Sequence, residues 1–354
     1  MEGISETREL MDRTLVVRTD GSSEMGTGHI MRCLTLAQAW CESGGTVNFV
    51  SAAVPDGLRD RILEWAEEIV SIDVSPGSRA DAEQTSSAAT DRDADWVVVD
   101  GPQFNAAYQD AVSSTVYQLL NIDDMGNLEQ YSANLVLNQN LHAASEMYAD
   151  RAPHTELLLG PDYVLLRNEF LEWQDWSPDV PTEANHLLVT LGGSDPDNAT
   201  QKVLDALDKI AADLEVVVVA GAENDYYDSL RVRAETVDQN VRIERNIDNM
   251  AEQMAWADFA VSSGGTTCWE LAFMGVPTLV GMIAQVEECL VSGLQNEDLF
   301  RHFGYFSSVS TSEIATEING LVEDTEYRRR MSSHAQDIID GYGRERVVEE
   351  LCGN

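Results

Sequence analysis

The chain has 354 residues, enough for two domains that each bury a core, and its 44% apolar content excludes a wholly disordered polymer. Sixty-two acidic residues against 22 basic ones leave a formal charge of −40. A surface of that sign repels nucleic-acid phosphate and anionic lipid, so neither is expected as a partner. The acid is spread along the chain and only Lys202 and Lys209 accompany the arginines, a composition that resembles proteins of salt-loving organisms; an acidic binding face is the alternative.

Five cysteines, Cys33, Cys41, Cys268, Cys289 and Cys352, are odd in number and form no CxxC pair, so neither a disulfide framework nor a zinc site is expected. The first residues, MEGISETRELMDR, hold no apolar signal core, and no run reaches the roughly 18 apolar residues of a membrane span. These features predict a cytoplasmic protein without stable membrane insertion, as a monomer or weak homo-oligomer.

In chain order, short β-branched runs at Thr14 to Val17, Val47 to Val50, Trp96 to Val99 and Leu135 to Leu137 alternate with helical spacing such as Met31 to Cys41. That alternation reads as βαβ units on a parallel sheet. A second series runs through HLLVTLGG from His186, then LEVVVVAG, VRIERN, DFAVSSGG and PTLVGMI. Between the two lies QDWSPDVPTEAN, with two prolines and no period. The expected organisation is an N-terminal Rossmann-like domain over 1–173, a linker over 174–185, and a second such domain over 186–354, its terminal helix able to return to the first. Ligands of open parallel sheets bind beyond the carboxyl ends of the strands, so the two sheets are expected to face a cleft.

Four stretches carry candidate chemistry. RTDGSSEMGTGHIMRC, Arg18 to Cys33, places His29 in a glycine-rich strand-to-helix turn. In LGGSDPDNAT, Gly192 and Gly193 end a strand while Ser194, Asp195 and Pro196 open a helix, which suits phosphate or merely makes a tight turn with an N-cap. In VSSGGTTCWELAFMGVP, Ser263, Gly264, Gly265, Thr266 and Thr267 put hydroxyls and backbone N–H groups before a helix that ends near Gly275, and a diphosphate would fit there. Glu270 follows in the first turn, as a ribose acceptor or a dipole-stabilising glutamate. Ile247 and Met250 flank a turn, as a sandwich for a planar base or as core. The other histidines, His142, His154, His186, His302 and His334, show no metal-ligand spacing.

With LLNIDD, LVLNQN and LLGPDYVLLRNEF, these stretches resemble in matching order, from about Val16 to Met282, the UDP-sugar hydrolases of pseudaminic acid biosynthesis (PseG type) and their spore-coat polysaccharide relatives (SpsG type). The resemblance implies a two-domain GT-B-like fold, α/β, and release of UDP from a UDP-activated amino sugar. It implies that the C-terminal domain holds UDP: the uracil at Ile247 and Met250, the ribose at Glu270, the diphosphate at Gly192 to Ser194 and Ser263 to Thr267, with Gln285 nearby. His29 corresponds to the histidine of the family's GxGHxxR motif, its general base, a task suited to an imidazole with an ordinary pKa of about 6.5.

Gly26 and Gly28 would let the loop approach the sugar. Arg18, Asp20, Arg32 and Asp100 are candidate substrate contacts, with a local ion pair as the alternative for Arg18, Asp20 and Arg32. No cofactor and no metal is called for. Departures from the family pattern bear on the sugar: Asp100 is followed by Gly101 and Pro102 in place of a DxY motif, no asparagine precedes Gln285, and the loop after Ile122 to Asp124 lacks a histidine. Glycosyl transfer by the same base and an inactive UDP-sugar-binding protein remain the competing readings.

Overall fold

The computed structural model describes residues 10–353 except 23, 24, 114–116, 194, 222, 223, 246, 248, 286, 289, 290, 292 and 294–298. Ser194 and Cys289 therefore lie outside the described residues. The chain divides into two compact units, 1–168 with 342–354, and 169–341.

Unit 1 is built on a seven-stranded sheet of order β3-β2-β1-β4-β5-β6-β7. Its strands are β1 Thr14–Thr19, β2 Thr46–Ser51, β3 Glu68–Ser71, β4 Trp96–Asp100, β5 Gln118–Ile122, β6 Leu135–Asn138 and β7 Glu156–Leu159, all paired in parallel. Alternation along β1 feeds two layers: Leu15 and Val17 pack with Leu36, Trp40, Val347 and Leu351, while Val16 packs with Ala82, Ala89, Tyr108 and Val112. Helix α1 (Gly28–Glu42) and the helix Gly343–Gly353 thus cover one face, and α3 (Arg79–Asp91) and α4 (Ala106–Val112) the other. A short helix α2 (Asp56–Leu63) joins β2 to β3.

The helix Gly343–Gly353 is tied to unit 1 by specific bonds. Trp96 Nε1 donates to the Leu351 carbonyl at 3.0 Å, and Arg344 pairs with Glu42 at 2.7 Å. A Cβ at Gly343 would stand 2.2 Å from the Val164 carbonyl oxygen, so glycine permits the approach.

Unit 2 carries a six-stranded parallel sheet of order β10-β9-β8-β11-β12-β13, with β8 His186–Thr190, β9 Glu215–Ala220, β10 Asn240–Arg245, β11 Phe259–Ser263, β12 Thr278–Met282 and β13 Arg301–Tyr305. Leu187, Val189, Val216, Val218, Phe259 and Val261 pack with Val203 and Leu204 of α5 (Ala199–Leu207) and with Ile314 and Ile318 of the helix Thr311–Glu323. Helices α6 (Tyr227–Ala234), α7 (Met250–Trp256) and α8 (Thr267–Phe273) complete the βα alternation.

The segment 174–185, expected to be a linker, is bonded onto this unit. Gln336 Nε2 donates to the Trp176 carbonyl at 2.9 Å, Trp176 Nε1 to the Met274 carbonyl at 3.2 Å, and Arg328 Nη2 to the Pro181 carbonyl at 2.8 Å. The unit boundary accordingly falls before Glu169. Strands β3, β7 and β13 escape the apolar-run criterion because their sequences, EIVS, ELLL and RHFGY, are short or carry charge.

Among the described residues, no helix is long and apolar enough to cross a membrane.

Candidate functional site

Each sheet reverses its strand order at one point, between β1 and β4 in unit 1 and between β8 and β11 in unit 2. Strand ends at such a point diverge and leave a crevice at their carboxyl edge. The candidate residues gather at these two edges.

In unit 1, Thr19 pairs with Asp100 at the last position of the β1–β4 register, and the chain then turns into α1. The turn is closed by Ser22 and Gly26, whose N–H groups donate to one another's carbonyls at 3.3 and 2.8 Å. Gly26 has φ +80°, where a Cβ would be strained although space for it is open. Helix α1 starts at Gly28 with Thr27 as an N-cap that makes no side-chain bond, so His29 and Arg32 leave its first turn on one side.

These two side chains meet Asp100. His29 Nδ1 lies 2.9 Å from Asp100 Oδ1, Arg32 Nε donates to Oδ2 at 2.6 Å, and Arg32 Nη2 donates to Oδ1 at 2.6 Å. Arg32 also holds Asp124, Nη1 to Oδ1 at 2.8 Å and Nη2 to Oδ2 at 2.9 Å. Arg32 Nη2 is 3.2 Å from His29 Nδ1 as well. Both hydrogens of Nη2 are spent on the two carboxylates, so Nδ1–H of His29 donates to Asp100 and the lone pair resides on Nε2.

Burial opposes ionisation of Asp100, yet the Arg32 guanidinium and then His29 hold its carboxyl well below the usual carboxylate range. Asp124 is likewise lowered by Arg32 against burial. One guanidinium and two carboxylates leave this group a net negative charge.

The remaining candidates of this turn serve the fold. Arg18, expected among substrate contacts, is fully buried: Nε and Nη2 donate to Asp81 at 2.8 and 2.7 Å, and Nη1 pairs with Asp20 at 2.7 Å. Asp20 accepts further from Ala52 N at 2.7 Å, Ser51 Oγ at 3.1 Å and Gln103 Nε2 at 3.1 Å. It is the orienting partner of a cation and has no face for a sugar. The Gly101–Pro102 turn, with Gly101 at φ +151°, carries Gln103 to it. Arg32 and Asp100, also expected on substrate, spend these bonds on each other and on His29 and Asp124.

Sequence reasoning missed Asp124 and Asn140. Their signals were present in LLNIDD and LVLNQN, whose strands β5 and β6 extend the sheet beside β4. Asn140 Nδ2 donates to Asp124 Oδ1 at 3.0 Å, and His142 Nε2 to the Asp124 carbonyl at 3.0 Å. Asp123 holds the loop instead, accepting from Tyr131 and Tyr148 hydroxyls at 2.9 and 3.0 Å.

In unit 2 the glycine turns after β8, β9 and β11 converge. Gly192 has φ +84°, and a Cβ on it would lie 3.8 Å from Ser263 Oγ; one on Gly265 would lie 3.9 Å from the same atom. A Cβ on Gly221 would stand 2.1 Å from the Gly193 carbonyl oxygen. Thr266 begins α8 without a side-chain cap bond, and Thr267 is its first residue.

Two expected anion donors are already occupied. The carboxylate of Asp195, held at φ +45°, accepts from Ala199 N and Thr200 N at 2.8 and 2.9 Å, so the start of α5 is capped from within. Glu287, which sequence reasoning passed over, accepts from the backbone of Ile283 at 2.7 Å and of Gly264, while burial pushes its carboxyl up. Ser262 is buried and donates to the Thr190 carbonyl at 2.9 Å. The backbone of Gly192, Gly193, Gly265, Thr266 and Thr267 remains the candidate phosphate surface, with the Ser263 hydroxyl at its centre. Glu270 is 8% exposed on α8.

Met250, expected against a planar base, is 5% exposed and packs as core, its N–H donating to Glu169 at 3.0 Å. Ile247 is half-buried and Gln285 exposed. Among the described residues, no group of three or more His, Cys, Asp or Glu side chains is arranged to hold a metal ion.

Comparison with known proteins bears on both units. The glycosyltransferase family 28 C-terminal domain matches residues 186–285, the stretch from β8 through the turn after β12. An uncharacterized protein of Methanocaldococcus jannaschii is 28% identical over 273 residues, 75% of this chain and 55% of that protein. The spore coat polysaccharide biosynthesis protein SpsG of Bacillus subtilis is 27% identical over 201 residues, 56% of this chain and 58% of its own length. The matches thus span little more than half the length of these curated relatives. Among solved structures, MurG of Acinetobacter baumannii is similar with a TM-score of 0.68 at 14% identity, over 97% of this chain and 100% of that one. With its two parallel-sheet α/β units, the chain has a GT-B-like fold.

Proposed function

We propose that the chain is an enzyme acting on a UDP-linked amino sugar in surface-polysaccharide or nonulosonic (pseudaminic-like) acid biosynthesis, with His29 as general base. The observation that carries the reading is the pairing of His29 Nδ1 with buried Asp100, 2.9 Å apart, which leaves Nε2 as a proton acceptor on a side chain 22% exposed. The similarity to SpsG and the match to the glycosyltransferase family 28 domain support a nucleotide-sugar substrate.

In this reading unit 2 binds the nucleotide: the Ser263 hydroxyl and the backbone of Gly192, Gly193, Gly265, Thr266 and Thr267 receive the diphosphate, Glu270 the ribose, and Ile247 packs on the base. His29 Nε2 takes a proton from water as the water oxygen bonds to the anomeric carbon. The bond from that carbon to the UDP oxygen breaks, its electron pair leaving with UDP, and the anomeric centre inverts. A second reading, favoured by the match to the family 28 domain, keeps the base and replaces water with an acceptor hydroxyl, giving glycosyl transfer.

The test is a single-turnover assay at high salt in ¹⁸O-water, with UDP-N-acetylglucosamine and UDP-2,4-diacetamido-2,4,6-trideoxy-β-L-altropyranose. Release of UDP with ¹⁸O at sugar C1 is the expected result. UDP bound tightly with neither sugar turned over would sink hydrolysis and leave transfer or simple binding.

A further inference from the structure

The two carboxylates held by Arg32 are not equivalent. A carboxylate offers about four lone-pair positions, and on Asp100 they are filled: Oδ1 by His29 and Arg32, Oδ2 by Arg32 Nε and by Cys33 Sγ at 3.4 Å. Asp100 is also fully buried. On Asp124, Oδ1 accepts from Arg32 Nη1 and Asn140 Nδ2, but Oδ2 accepts, among the described residues, from Arg32 Nη2 alone. The Asp124 side chain is 29% exposed. The open acceptor position of the cluster is therefore on a carboxylate that solvent reaches, one guanidinium away from His29.

The charge of the surroundings restricts what this position can take. Among the described residues, Arg32 is the one cation that Asp100 and Asp124 share, so the group is net negative. An incoming hydroxyl or amide N–H finds a charge-assisted acceptor, whereas an incoming carboxylate meets like charge at short range.

We propose that Asp124 reads the sugar: its Oδ2 accepts a hydrogen bond from a hydroxyl or amide N–H of an uncharged sugar, and the surplus negative charge turns away sugars that carry a carboxylate. This rests on the nucleotide-sugar reading above and narrows it to neutral sugars. Asp100 positions His29, while Asp124 touches the sugar.

The experiment is calorimetric titration of the whole chain with three probes: UDP, UDP-N-acetylglucosamine and UDP-N-acetylglucosaminuronic acid. In Asp124→Asn one oxygen becomes an NH₂ donor with the shape kept. It should bind UDP as the wild type does, bind UDP-N-acetylglucosamine about 10- to 100-fold more weakly, as for loss of a hydrogen bond to a charged group, and discriminate less against the uronate. Asn140→Ala removes a bond to Oδ1 and leaves Oδ2 intact, so it should cost much less. Equal loss in the two variants would mark a packing effect and overturn the proposal. So would an unchanged affinity for UDP-N-acetylglucosamine, or a parallel loss of UDP. A wild-type chain that binds none of the three probes overturns the nucleotide-sugar reading itself, and this inference with it.

Discussion

Unit 1 contains two buried clusters of the same composition, one arginine between two aspartates, at the carboxyl edge of one sheet. Arg18 with Asp20 and Asp81 is sealed, its side chains 0 to 3% exposed. Arg32 with Asp100 and Asp124 is sealed at one carboxylate and open at the other, and it carries His29 at 22% exposure. The first cluster links β1 to α3 and packs under Phe104, whose ring centroid is 5.0 Å from the Arg18 guanidinium carbon. The second holds the imidazole of His29. The same ion-pair chemistry thus closes a sealed cluster in one place and fixes the orientation of an imidazole in the other.

His29→Asn separates the two most strongly. Losing a general base costs about 10²- to 10⁴-fold in turnover, and UDP affinity and the urea midpoint should stay near wild type. If UDP binding collapsed alongside turnover, His29 would be a structural loop residue and the contrast would dissolve. Arg18→Ala should show the opposite profile. Removing one partner of a buried pair leaves uncompensated charge and costs about 3–5 kcal/mol of stability, measurable by urea unfolding. A variant as stable as wild type would mean that Asp20 and Asp81 find other partners or take up protons cheaply.

Acid titration sharpens the comparison further. Asp20, Asp100 and Asp124 all have folded-state values lowered below the ordinary carboxylate value. For such groups the added stability is fully present above the unfolded value of about 3.9 and is lost as pH falls through the folded value. The stability gap between wild type and Asp100→Asn should therefore be constant from pH 7 to about 5 and shrink below about 4. Urea midpoints across that range would read it. A gap that widened in acid would show that Asp100 is protonated in the folded protein.

Much of this architecture was legible beforehand. The βαβ alternation, the second series from His186 and the glycine turns are local signals, and β1, β2, β4, β6 and β8 to β12 lie where those runs stand. The place of His29 was legible too, because a histidine in a glycine-rich strand-to-helix turn stands out from its neighbours. Its partner was not. Asp100 is 71 residues away, and Asp81 is 63 residues from Arg18. Nothing in their spacing says that Arg18 is sealed while Arg32 shares Asp100 with His29.

Helix starts were misjudged for a related reason. Asp195 and Glu287 look like ordinary acidic residues beside glycine turns, yet they fold back onto amides that the sequence offered to phosphate. Whether a carboxylate caps its own turn depends on a backbone detail, φ +45° at Asp195, that residue types alone do not specify.

What the sequence determined by itself was therefore periodicity, turn positions and the residue types available at strand ends, since these depend on each residue and its near neighbours. Only tertiary structure decided which charges meet. Strand order places β4 beside β1 and β5 beside β4, so Asp100 and Asp124 converge on one guanidinium, and burial then forces every donor there to find an acceptor.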